Sequence, residues 1–282
     1  MPRLLLLHGF GDNSLVWQHF ASTLDDCCTL AIDLRGHGLS EWDPQGTYAL
    51  TDFVADVVHV LEDLCPEPVV LVGHSLGAQI AIHVAAACRE RIRAVVLVDV
   101  ALRPSEASAG HVRRKLRERQ RMYESEAHYV DLLREQLPLA QEQLLNVLAE
   151  GALRANASGH YEERCDSMLV NRDDSVNVPV MRAALKQIAR PILLVRGAGS
   201  AVLSREAARE VLAELPQSRM NVVATSGHSV MLDNPAGFAA AVKPYVLRFS
   251  SAPPGEVTAE FSPHPGDRVG ELLEASSQRE KP

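Results

Sequence analysis

Six short, mostly apolar runs punctuate this chain at Leu4–Leu7, Leu30–Leu34, Val69–Val72, Ala94–Val98, Pro191–Arg196 and Met220–Ala224. A strand with one wet face alternates apolar and polar residues. Runs that are apolar at consecutive positions suit strands buried on both faces of a parallel sheet. Helix-forming stretches separate them. Thr51–Leu64 carries a stripe of Phe53, Val54, Val57, Val58, Leu61 and Leu64, and Ser75–Ala87 is apolar almost all round. Ser204–Leu215 and Pro235–Phe249 follow, the latter with Pro244 as a kink. The alternation predicts an α/β fold, a mostly parallel central sheet flanked by helices on both faces.

The rhythm breaks over residues 103–188, which hold no strand-like run. Helical patterns fill that stretch at His111–Glu124, Glu126–Leu137, Ala140–Ala149 and Pro179–Ile188. The expected organisation is therefore a core of residues 1–102 and 189–249, interrupted by a helical cap over 103–188. Residues 250–282 are rich in proline and glycine, poor in core-sized side chains, and read as a disordered tail. A formal charge of −8 argues against nucleic acid as a partner. No apolar run approaches the roughly 18–20 residues that cross a bilayer, and Leu4–Leu7 is too short for a secretory signal. Five cysteines without a CxxC pair suit free thiols in a reducing compartment. These features fit a soluble, cytoplasmic protein.

The chemistry concentrates at Gly73-His74-Ser75-Leu76-Gly77, between the run Val69–Val72 and the apolar helix. A G-x-S-x-G motif joining strand to helix is a nucleophile elbow, a tight turn that lifts the serine hydroxyl clear of the sheet. The helix N-terminus behind it offers free N–H groups to a developing negative charge. The plainer reading is a glycine-bracketed turn with a serine helix cap. No GxxxxGK loop, HExxH or strand-borne GxGxxG is present, so no cofactor and no metal is expected.

With these motifs the chain resembles the α/β-hydrolase superfamily over residues 3–249, in its lid-bearing serine esterase, haloperoxidase-like and C–C hydrolase branch. His8-Gly9-Phe10-Gly11 is similar to that family's oxyanion loop, and Asp33-Leu34-Arg35-Gly36-His37-Gly38-Leu39-Ser40 to the loop after its next strand. Gly227-His228-Ser229 is similar to the catalytic-histidine turn, followed by Asp233-Asn234-Pro235 at a helix start. The resemblance implies the order serine, acid, histidine and a serine hydrolase of an ester, thioester or activated carbonyl. Ser75 then needs a nitrogen base, and His228, on a glycine turn after the last strand, is the best placed. The backbone N–H groups of Phe10 and Leu76 would hold the oxyanion. His8, His37 and His74 read as structural members of their motifs.

The acid departs from the family pattern. Its usual loop, after Ile192–Val195, reads Gly197-Ala198-Gly199-Ser200-Ala201-Val202-Leu203, with Ala201 where relatives carry Asp. Asp99, at the end of the strand next to the one delivering Ser75, is one candidate. The alternatives are a structural Asp99 with no working acid, or Glu206, or Asp233, which otherwise reads as a helix cap. A second departure is at the start. Relatives carry two antiparallel strands before the first strand seen here, where Met1 and Pro2 stand. A smaller sheet or a late start follows, with an exposed edge that a homodimer would cover.

A basic run, Arg113, Arg114, Lys115, Arg117, Arg119 and Arg121, reads either as a solvated helix face or as an attractor for an anionic substrate. Trp17 reads as pocket lining or core. Two rival functions remain open. One is a cofactor-free oxygenase or cyclase-type enzyme on the same fold, with His228 and Asp99 as base and Ser75 only binding substrate. The other is a degenerate, non-catalytic ligand-binding protein.

Overall fold

The computed structural model describes residues 3–103, 110, 114, 117, 122–172, 176–215 and 218–250, residue 26 excepted. The first half runs β1 (Leu4–Leu7), α1 (Gln18–Ser22), β2 (Thr29–Ile32), α2 (Leu50–Leu64), β3 (Val69–His74), α3 (Leu76–Ala87) and β4 (Ile92–Val98). Next come β5 (Met122–Tyr123), α4 (Glu126–Gln136), α5 (Glu142–Ala152), β6 (Leu153–Ala155), β7 (Tyr161–Glu163) and α6 (Val178–Gln187). The chain continues through β8 (Ile192–Gly197), α7 (Arg205–Glu214), β9 (Arg219–Val223), α8 (Val230–Asp233) and α9 (Pro235–Ser250). Pro244 lies inside α9.

Six strands form one sheet in the order β2-β1-β3-β4-β8-β9. Every pairing in it is parallel. Side-chain direction alternates along a strand, so consecutive apolar residues must feed opposite faces. Leu5, Leu7, Val69, Leu71, Val95, Leu97 and Leu194 pack into a core with α2, α3, α6 and α7. Leu4, Leu6, Val70, Val72, Val96, Val98 and Leu193 pack into a second core with α1, α4, α5 and α9. Each such side chain contributes about 1.5–3 kcal/mol by leaving water, which is why these positions carry no charge. The mostly parallel α/β sheet expected from the sequence is the sheet observed.

The register brings the strand ends level. Leu7 pairs with Gly73, Gly73 with Leu97, and Leu97 with Leu194. The residues that follow each strand therefore emerge along one edge, where open α/β sheets bind their ligands.

Between β4 and α6 the structure differs from the strand-free reading. β5, β7 and β6 form a small antiparallel sheet. Strands of two or three residues leave no alternation in the sequence to read. Met122–Tyr123 falls at the end of the predicted helix His111–Glu124. It is extended, with Tyr123 buried against the ring of Tyr129 at 4.9 Å. The rest of that helix and its basic run lie outside the described residues, save positions 114, 117 and 124. Residues 251–282, read as a tail, also lie outside them. The stretch between β4 and α6 is tied to the core by Asp166. Its N–H donates to Gly36 O at 2.8 Å, and its Oδ2 accepts the buried Tyr48 hydroxyl. Among the described residues no helix is long and apolar enough to cross a membrane.

Candidate active site

Ser75 follows β3 directly, with φ +50° and ψ −112°, a conformation that L-residues rarely adopt. Its flanking glycines are dictated by contact. A Cβ on Gly73 would lie 2.3 Å from Gly77 O, and one on Gly77 would lie 2.4 Å from Leu7 O. Backbone strain of this kind costs about 1–3 kcal/mol and persists only where neighbours over-determine it. Here the Ser75 N–H donates to Val98 O at 3.0 Å, and the Ala78 and Gln79 N–H groups donate to Ser75 O.

Asp99 follows Val98 directly. It too is left-handed, with φ +49°, and its N–H donates to Val195 O at 2.8 Å. The side chain is fully buried. Oδ1 accepts the Gly197 N–H at 3.1 Å, while Oδ2 accepts from Ser200 Oγ at 2.5 Å and from His228 Nδ1 at 2.8 Å. A buried charge needs this number of donors to offset its lost hydration.

His228 stands on the turn after β9. The Gly227 N–H before it donates to Asp233 Oδ2 at 2.7 Å, and the His228 carbonyl accepts from His74 Nε2 at 3.0 Å. With Nδ1–H committed to Asp99, Nε2 presents its lone pair to Ser75 Oγ at 3.1 Å. Ser75, His228 and Asp99 thus share one chain of hydrogen bonds. Burial holds the His228 imidazole below the ordinary histidine range. The bond to Asp99 works in the opposite direction, and the neighbouring His74 adds to the lowering. A neutral imidazole with a free Nε2 lone pair at pH 7 is the form a general base requires.

The other candidates for the acid lie elsewhere. Glu206 is exposed on the first turn of α7, where it accepts from Ser204 Oγ at 3.1 Å. Ala201 is exposed. Asp233, expected to cap the last helix, instead braces the histidine turn. The cap is Asn234, whose Oδ1 accepts the Gly237 N–H at 2.9 Å.

The loop carrying Phe10 is pinned from both ends. His8 donates from Nδ1 to Gly9 O at 2.7 Å and accepts the Leu34 N–H on Nε2 at 2.9 Å. His37 donates to Arg35 O at 2.9 Å and accepts the Gly11 N–H at 3.0 Å. Asp33 ties in the same two loops by accepting the Ser14 and Leu39 N–H groups at 2.7 and 2.8 Å. Phe10 is half-buried beside them. Leu76 opens α3, where the first N–H groups have no intrahelical acceptor. Trp17 is core, fully buried with Phe238 at 6.0 Å. Two neighbours of the site escaped sequence reasoning, Ser200 and Arg196, since neither belongs to a motif. Among the described residues no group of three or more His, Cys, Asp or Glu could hold a metal ion.

Known proteins share this fold. Over 237 residues the chain is 27% identical to 2-(acetamidomethylene)succinate hydrolase of Mesorhizobium japonicum, covering 81% of this chain and 82% of that one. Over 250 residues it is 30% identical to esterase Rv0045c of Mycobacterium tuberculosis, covering 83% and 79%. The solved structure of that esterase superposes with a TM-score of 0.77 at 27% identity, covering 86% of this chain and 84% of that one. The structure of E-2-(acetamidomethylene)succinate hydrolase gives a TM-score of 0.78 at 24% identity, covering 87% and 91%. Such relatives support hydrolase activity in general. The sequence profile of the alpha/beta hydrolase family matches residues 4–241, and with the parallel sheet and its strained serine turn this makes the chain a member of that family.

Proposed function

We propose that the protein is a cytoplasmic serine hydrolase working through Ser75, His228 and Asp99. The observation that carries the reading is the bridging imidazole, 3.1 Å from Ser75 Oγ and 2.8 Å from Asp99 Oδ2. Ser75 Oγ attacks the carbonyl carbon as its proton passes to His228 Nε2, and the carbonyl π electrons move onto oxygen. The Phe10 and Leu76 N–H groups receive that oxyanion. His228 then returns the proton to the leaving group, and a water activated by the same nitrogen releases the acyl group. Asp99 fixes the imidazole tautomer and stabilises its charged form.

The substrate class is an ester, thioester or activated carbonyl on a small to medium apolar group. The esterase relative supports an ester. Residues 103–188 would act as the cap that selects it. A panel of p-nitrophenyl esters of short to medium chain length, run beside Ser75→Ala, tests the proposal. Turnover by the native protein, lost in the variant, is expected, with fluorophosphonate labelling at Ser75. Turnover that survives Ser75→Ala would overturn it, and so would a Ser75 that resists labelling.

A further inference from the structure

We propose that Ser200 is a positioning residue for the hydrolase reading above, on which the inference rests. Its hydroxyl proton, donated to Asp99 Oδ2, shares the carboxylate charge on which His228 also draws. It thereby sets how firmly His228 holds a proton.

The direction of that hydroxyl is forced. A serine hydroxyl offers one donor and two acceptor sites. Ser200 Oγ already accepts the Val202 N–H at 3.2 Å and the Leu203 N–H at 3.0 Å. Its remaining proton has Asp99 Oδ2, 2.5 Å away, as its acceptor. Ser200 is buried, so water offers little competition.

The loop that carries it is fastened on every side. Ser200 N–H donates to Gly197 O at 3.0 Å, Gly199 N–H to Ser226 O at 2.8 Å, and Ala198 N–H to Val223 O at 2.9 Å. Behind it the buried Arg196 guanidinium donates from Nε to Leu203 O at 2.6 Å and from Nη2 to Ala198 O at 3.2 Å. A hydroxyl held this rigidly reorganises little when His228 becomes charged.

The groups around His228 come from several elements. Asp99 faces Nδ1 from the end of β4, and Ser75 faces Nε2 from the elbow. The His74 ring lies 4.7 Å away, and the Asp12 carboxylate is 3.7 Å from His74 Nδ1. Asp233 of α8 grips Gly227, and the Arg196 cation acts on Asp99 from β8. Replacing Ser200 removes none of these. What it removes is one of two donors on Oδ2, so negative charge concentrates on the oxygen that faces the imidazole. An imidazolium beside a less shared anion is better stabilised, and His228 then binds its proton more tightly.

The test is an NMR titration of the full chain labelled with 15N-histidine, the His228 signal being assigned by its loss in His228→Gln. In Ser200→Ala the His228 titration moves up by about one pH unit. The acid limb of kcat/KM for p-nitrophenyl butyrate moves with it. Rates fall roughly tenfold on the acid side of the limb, while rates well above it are unchanged. Ser200→Thr, which keeps the hydroxyl, restores the native titration. Should Ser200→Ala fail to fold, Ser200→Cys keeps the shape with a weaker donor and gives a smaller upward shift. A titration that stays put or moves down in the folded variant overturns the proposal, and so does an equal rate loss at every pH. The two readings separate cleanly because the titration needs no turnover. A native protein without hydrolysis sinks the proposed function, whereas hydrolysis with an unmoved His228 sinks only the role of Ser200.

Discussion

The ends of β4 and β8 lie side by side, Val98 paired with Val195, yet they deliver opposite kinds of group. β4 ends in a buried, left-handed carboxylate, Asp99. β8 ends in donors, namely the Gly197 N–H, the Ser200 hydroxyl and, behind them, the Arg196 guanidinium. Adjacent parallel strands stand about 4.8 Å apart, so either end can reach the same imidazole. For the proposed base, what matters is that an anion meets Nδ1. The strand that lends it is free to differ, provided its neighbour compensates the buried charge.

That contrast breaks most sharply at Asp99. Asp99→Asn keeps the shape, and asparagine tolerates a positive φ, so the variant removes charge without moving the chain. Its kcat is expected to fall by about 10⁴, equivalent to about 5 kcal/mol, with the melting temperature showing that the fold survives. Activity within tenfold of native would mean that the charge at the end of β4 is idle.

On the β8 side the largest effect is steric. A Cβ on Gly197 would lie 1.9 Å from Gly227 O, so Gly197→Ala drives the end of β8 into the turn that carries His228. A loss of about 3 kcal/mol in urea unfolding is expected, with weakened fluorophosphonate labelling of Ser75. Next comes Arg196→Met, which frees two loop carbonyls while keeping the aliphatic stem. It should cost about 2 kcal/mol by urea unfolding and leave KM unchanged. A larger loss of stability than at Gly197 would invert the ranking of contact over charge.

The smallest effect is the native pH profile. His228 sits below its ordinary 6.5, so the neutral base predominates at neutral pH and activity should fall only as pH drops below that value. A limb centred above 6.5 would mean that the pull of Asp99 outweighs burial. Stability should follow the same sign. His8 is also held below 6.5, chiefly by burial, so the unfolded chain takes up protons that the folded one refuses. Urea midpoints should therefore decline between about pH 7 and pH 5.

How much of this was legible differs by region for physical reasons. The strands announced themselves because burial on both faces removes every polar residue from a run such as Val69–Val72. Ser75 was legible because its turn excludes side chains at 73 and 77. Asp99 could be proposed from its place one strand over, but only coordinates distinguish it from Glu206, since a loop's path leaves no period in a sequence. Ser200 carried no signal at all, because a serine in a glycine-rich loop looks the same whether its proton points at water or at a carboxylate. β5, β6 and β7 were missed for want of length. Asp233 was misjudged because a residue before a helix start suits a cap equally well on paper.

The Tyr48–Asp166 hydrogen bond has a mechanical implication. Asp166 is anchored at once to the Gly36 carbonyl and to a buried phenol whose ionisation burial discourages. The loop beyond β2 and the stretch around residue 166 are therefore riveted at a shared hinge pin. A displacement of either stretch must break these two hydrogen bonds or carry the other stretch along.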